Sequence, residues 1–84
     1  MMTSAQLKAA RALLEMDQKT LAESSGVSLT TIRRMEASES IVKSNVDTLN
    51  KVIEALDHHG VTLINNDTES MSGGRGVRLK SWND

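Results

Sequence analysis

The chain has 84 residues, 10 Lys and Arg against 11 Asp and Glu for a formal charge of −1, neither cysteine nor proline, and Trp82 as its sole aromatic residue. That length allows one domain and one small core, the missing thiols exclude disulfides and thiolate metal sites and suit a reducing cytoplasmic setting, and no apolar run approaches the roughly 20 residues that span a bilayer. With Trp82 alone among aromatic side chains, a platform for stacking single-stranded bases is not expected, and the balanced charge lacks the bulk basic signature of many nucleic-acid binders, although Lys19, Arg33, Arg34 and Lys43 fall within 25 residues of one another.

The first helix is expected over residues 2 to 15. Thr3 stands as N-cap with Gln6 three residues later as a capping box, Met2 and Leu7 occupy staple positions, and Leu7, Ala10 and Leu14 recur at helical spacing. Asp17 caps a short second helix ending near Ser24, with Met16 and Leu21 as its staple and Leu21-Ala22 facing inward. Gly26 supplies the left-handed residue that closes it, and Ser28 caps a third helix in which Val27 and Ile32 again form a staple. Ile32 and Met35 point inward at i and i+3, so Leu29, Thr30, Thr31, Arg33 and Arg34 are expected largely toward solvent.

From Ala37 to Ser44 the chain reads as a polar loop, and Asn45 caps a fourth helix with Leu49, Val52, Ile53 and Leu56 as its apolar stripe. Gly60 stops that helix, whose last turn holds His58 and His59, well placed for the dipole. Beyond it "VTLI" and "GVRLK" predict two short strands joined by a mobile, turn-rich loop. Residues 1–60 thus form a helical unit and 61–84 a β extension, the latter a candidate dimerisation element because two strands alone are marginal in water.

The stretch Gln18 to Ala37, "QKTLAESSGVSLTTIRRMEA", resembles the helix-turn-helix of the Cro and phage-repressor (XRE) family of regulators. Leu21, Ala22, Gly26, Val27, Ile32 and Met35 fall where that motif wants a core residue, a small residue at the helix crossing, the turn glycine and three further core residues. "LKAARALLEMDQ" is similar to the family's first helix and "NVDTLNKVIEAL" to its fourth, so the likeness covers roughly residues 4 to 57. It implies a mainly α, four-helix fold and a structural, largely buried ion pair between Arg11 and Glu36. The chain departs from the pattern at Ala37-Ser38, where a glycine is usual, in having no proline before the fourth helix, and in carrying strands in place of a fifth helix.

Such a motif places the N-terminal end of its third helix in the major groove. Leu29, Thr30, Thr31 and Arg33 are then the candidates for base edges, since threonine offers a hydroxyl and a methyl and arginine pairs bidentately with guanine. Gln18, Lys19, Ser28, Arg34 and Lys43 are the candidates for phosphates. Operator DNA is the expected partner and a homodimer the expected state, because one helix reads only a few base pairs. The rival reading is an antitoxin or antiactivator, a protein-interaction module on the same fold.

The remaining motifs point to bland roles. His58 and His59 lie about 100° apart on a helix with no third ligand at suitable spacing. "GGRG" lacks the lysine and hydroxyl of a phosphate loop, and Arg75, Arg78 and Lys80 read as a solvated strand face before a phosphate-contacting one. No serine sits in a nucleophile motif, so neither an enzyme nor a cofactor is expected.

Overall fold

A short polar side chain closes the first turn of each of the four helices. The computed structural model describes residues 2–39, 42, 44–64 and 74–80, and within them the order is α1 (Ser4–Leu14), α2 (Gln18–Ser25), α3 (Leu29–Ala37), α4 (Val46–His58), β1 (Val61–Ile64) and β2 (Gly76–Leu79). The Thr3 hydroxyl accepts from the Gln6 backbone N–H at 3.0 Å while Gln6 Oε1 accepts from the Thr3 N–H at 2.9 Å, the reciprocal capping box. Asp17, Ser28 and Asn45 accept from the N–H of Thr20, Thr31 and Thr48 in the same way. Each cap satisfies one of the donors that a helix start leaves open, and such caps typically stabilise by about 1 kcal/mol.

The first helix is shorter than expected at both ends. Met2 and Thr3 precede it, with Thr3 in extended geometry, and Glu15 terminates it in the left-handed region at φ 53°. There the Met16 N–H donates to Arg11 O at 2.9 Å, which turns the chain sharply toward α2. Gly26, at φ 74°, makes the corresponding turn between α2 and α3, where a side chain would be strained by backbone conformation alone.

The core is aliphatic throughout. Leu7 and Ala10 from α1, Leu21 from α2, Ile32 and Met35 from α3, and Leu49, Val52 and Leu56 from α4 are buried together with Val61. Burying one such large side chain is worth roughly 1.5–3 kcal/mol, which is what holds helices of 8 to 13 residues that would be marginal alone. Three members come from outside the helices and strands: Met2, Val27 in the turn between α2 and α3, and Val42, whose N–H donates to Met2 O at 2.9 Å. The polar loop expected from Ala37 to Ser44 therefore differs in two respects, since Ala37 still belongs to α3 and Val42 is a buried anchor.

The strands pair antiparallel as Val61↔Leu79, Thr62↔Arg78, Leu63↔Val77 and Ile64↔Gly76. Leu63, Val77 and Leu79 pack against the helical core, so the hairpin shares the core of the helices. The loop expected to join the strands lies outside the described residues, as does Trp82. Gln6 locks the hairpin in place: its buried Nε2 donates to both Ile64 O at 2.9 Å and Gly76 O at 3.1 Å, one carbonyl from each strand. Both amide hydrogens reach the hairpin while the amide oxygen caps α1.

Two outcomes test this frame. Gln6→Glu removes the donor from two strand carbonyls and should lower stability at neutral pH by about 1–3 kcal/mol, read as the urea midpoint; an unchanged midpoint would show that the amide is dispensable. The second concerns Asp17, whose carboxyl is held below its usual 3.8 by hydrogen bonds from Thr20, the backbone N–H first. A depressed pKa contributes stability above the unfolded value that is lost as pH falls through the folded one. Wild type should accordingly exceed Asp17→Asn in urea midpoint at neutral pH, with the gap closing in acid below about pH 3.8; a gap constant with pH would contradict it.

Candidate nucleic-acid interface

The inward face of α3 is fixed by Ile32, Met35 and Glu36, all buried. At 100° per residue this leaves an outward arc on which Thr30 is flanked by Arg33 on one side and Arg34 on the other, with the small Ala37 one turn on. All four are exposed. Leu29 and Thr31 stand at the borders of the arc and are half-buried, so the largely solvent-facing set expected from the sequence narrows to a polar and cationic strip.

Part of the expected DNA-facing set is already engaged within the chain. Ser28 Oγ accepts the Thr31 N–H at 3.1 Å as N-cap and donates its own hydrogen to Thr31 Oγ1 at 2.9 Å. Reaching a phosphate would require Ser28 to leave Thr31. Gln18, the first residue of α2, donates from Nε2 to Glu36 Oε1 at 3.0 Å and keeps its second amide hydrogen for another acceptor. Lys19 is exposed beside it. Lys43 lies outside the described residues.

What sets the angle of α3 is the Arg11–Glu36 pair. The Arg11 guanidinium grips the carboxylate as a fork, Nε to Oε2 at 2.5 Å and Nη2 to Oε1 at 2.8 Å, and its Nη1 donates to Met16 O at 2.9 Å. The side chains are 20% and 5% exposed. Hydrogen bonding to Glu36 pushes the Arg11 pKa up against the opposing cost of burial, so the guanidinium stays charged. One cation thereby joins α1, the α1–α2 turn and α3, and Gln18 adds α2 to the same carboxylate. The family resemblance implies the pair; the Met16 and Gln18 contacts are visible only in three dimensions.

Away from this face, Ser24 Oγ lies 3.1 Å from His59 Nε2, tying α2 to the end of α4. The rings of His58 and His59 are 5.8 Å apart and edge-on, and no group of three or more metal-ligating side chains occurs among the described residues. Lys80 Nζ pairs with Asp57 Oδ1 at 3.1 Å, both half-exposed, while Arg75 and Arg78 are exposed on and before β2.

Removing Arg11 should matter more to the fold than removing Arg33. Arg11→Ala leaves the buried Glu36 carboxylate without its cation, at about 3 kcal/mol, the lower end for a broken buried pair since Arg11 keeps some exposure. Arg33→Ala should change stability by no more than about 0.5 kcal/mol. Equal denaturant midpoints for the two variants would mean that the fork does not hold the helices together.

A family model described as helix-turn-helix matches residues 7–58, well over half of the chain. That interval starts in α1 and ends with α4, and so takes in the capped turn and the strip on α3. No characterised protein sequence matches the chain.

Proposed function

Since the chain belongs to the XRE-type helix-turn-helix family of DNA-binding regulators, we propose that it is a transcriptional repressor that binds a two-fold operator as a homodimer in the cytoplasm. The observation that carries this reading is the outward strip of α3, where a hydroxyl and methyl at Thr30 stand between two guanidiniums on a helix held from behind by a buried ion pair. Thr30, Thr31 and Arg33, with Leu29 at the border, meet base edges at the front of the helix. Lys19, Arg34 and the free amide hydrogen of Gln18 hold phosphates beside it. Cations collected on one face serve this purpose despite a net charge of −1, because counterion release depends on the charges that meet the phosphates. The dimer follows from reach, since one such helix reads only a few base pairs and two half-sites multiply the discrimination.

The test is a gel shift with the DNA upstream of the protein's own gene, followed by titration of three variants against salt. Arg33→Ala should weaken specific binding by about 1–3 kcal/mol and relax preference at one base-pair position per half-site. Lys19→Ala and Arg34→Ala should weaken specific and nonspecific binding alike and flatten the log K against log salt slope by about one unit for each phosphate that is no longer neutralised, counted per subunit. Unchanged affinity, preference and slope in folded variants would remove α3 as the reading head and pass the surface to a protein partner, as in an antitoxin or antiactivator.

A further inference from the structure

We propose that β2 is the seam of the homodimer: Gly76–Leu79 pairs antiparallel with the same strand of a second copy, about a two-fold axis at Val77, joining the two hairpins into one four-stranded sheet. This deepens the dimer reading above by naming its interface, and it rests on that reading for the choice of a second copy as partner.

The hydrogen-bond phase of the hairpin shows which strand has groups to offer. The Lys80 N–H donates to Gly60 O at 2.7 Å, so the bonded pairs are 60/80, 62/78 and 64/76. Val61 and Leu63 therefore direct their N–H and C=O groups away from β2, and Val77 and Leu79 direct theirs away from β1. The β1 side is closed, since Val61 is 1% exposed and belongs to the core. On the β2 side Arg78 and Lys80 are exposed, Gly76, Val77 and Leu79 are half-buried, and the outward groups of Val77 and Leu79 meet no hydrogen-bond partner among the described residues. An open edge is a template for another strand, and two copies joined through their one open edge close on themselves without propagating.

Charge fixes the register. An axis at Arg78 would set the two Arg78 residues opposite each other, and an axis at Leu79 would set Arg78 opposite Lys80, both destabilising. An axis at Gly76 would carry Leu79 opposite residue 73, beyond Gly74, whose φ of 81° ends the extended run. With Val77 on the axis each cation meets a glycine, Arg78 opposite the partner's Gly76 and Lys80 opposite the partner's Gly74. The two Val77 residues then exchange both backbone hydrogen bonds as a bonded pair.

Gly76 supplies an independent reason for this register. Its φ is not positive, and a Cβ built on it would meet nothing within 4 Å, so neither the backbone nor packing within the chain calls for glycine there. Glycine weakens a strand and often marks a place where another group approaches closely. At the seam the bare Cα lets the aliphatic stem of the partner's Arg78 cross the strand toward Ile64, which pairs with Gly76 in the hairpin and is half-buried.

The helix above the edge leaves room for the second copy. Ala5, Ala9 and Ala12 are exposed on α1, and Ala5 and Ala9 line, with Arg75 and Gly76, a groove of about 220 Å³ beside the strand. A continuous sheet brings the two α1 helices near each other across the axis, and side chains of this size permit it.

The chain has no cysteine of its own, which permits a direct test. Gly76→Cys and Arg78→Cys come together only across the seam, as a non-hydrogen-bonded pair with Cα atoms about 4.5 Å apart, a spacing that suits a disulfide. Oxidised with glutathione disulfide at a concentration where wild type sediments as a dimer, an equimolar mixture of the two variants should give a covalent dimer. Each variant alone should run as a monomer on a denaturing gel, because its two cysteines are then diagonal neighbours about 7–8 Å apart. Independently, Gly76→Lys puts a like charge opposite Arg78 at two symmetric points and should raise the dimer dissociation constant about tenfold with helical circular dichroism unchanged. Gly76→Glu, of similar size and opposite sign, should keep the dimer. A wild-type dimer that the cysteine mixture does not link, or that responds alike to Gly76→Lys and Gly76→Glu, overturns the seam, as does a wild type that stays monomeric. The operator reading fails separately: it is lost if the disulfide-linked dimer forms yet shifts no DNA, and it stands if DNA is shifted while the cross-link does not form.

Discussion

The carboxylate of Glu36 is the point on which the arrangement of the helices depends. It is almost wholly buried near the end of α3, and a charge in that position is tolerated only with complete compensation. Two arms of Arg11 and the amide of Gln18 provide it. Because these donors come from α1 and the start of α2, satisfying the charge and fixing the angle between the helices are one geometric requirement. The third arm of Arg11 reaches Met16 O, so even the turn that launches α2 is set by the same side chain. A nonpolar packing of similar volume could match its stability, but it would slide more easily than a fork with fixed directions.

That constraint matters because α3 is short. Nine residues do not hold a helix in water without support. Its start depends on Ser28 and its inner face on Ile32 and Met35. The outer face is consequently freed of any structural duty, and Thr30, Arg33, Arg34 and Ala37 can be exposed without cost to the fold. A solvent-facing surface and a packing surface share one helix, separated by rotation about its axis.

The hairpin obeys a related logic. Two four-residue strands bury too little to persist alone. Here they are held on one face by Leu63, Val77 and Leu79 against the core and at one end by the two amide hydrogens of Gln6. The same residue that closes the capping box of α1 thus also ties the C-terminal extension to the N-terminal helix, across 58 and 70 positions of sequence.

Local chemistry in the sequence determined the elements. Thr3, Asp17, Ser28 and Asn45 mark helix starts because a side-chain oxygen three residues before an open N–H has one productive use, Gly26 marks the turn because φ is positive there, and the spacing of Leu49, Val52 and Leu56 places one face of α4 inward. Those signals span a few residues each, which is why they are readable without the fold. Only the tertiary structure decided that Val42 leaves a polar stretch to enter the core, that Gln6 grips two strand carbonyls, that Gln18 turns toward Glu36, and that the hydroxyls of Ser28 and Thr31 are bonded to each other. Each of these is a choice among several partners a polar or apolar side chain could take, and the choice is made by which groups the packed helices bring within about 3 Å of one another, a quantity that no spacing along the chain contains.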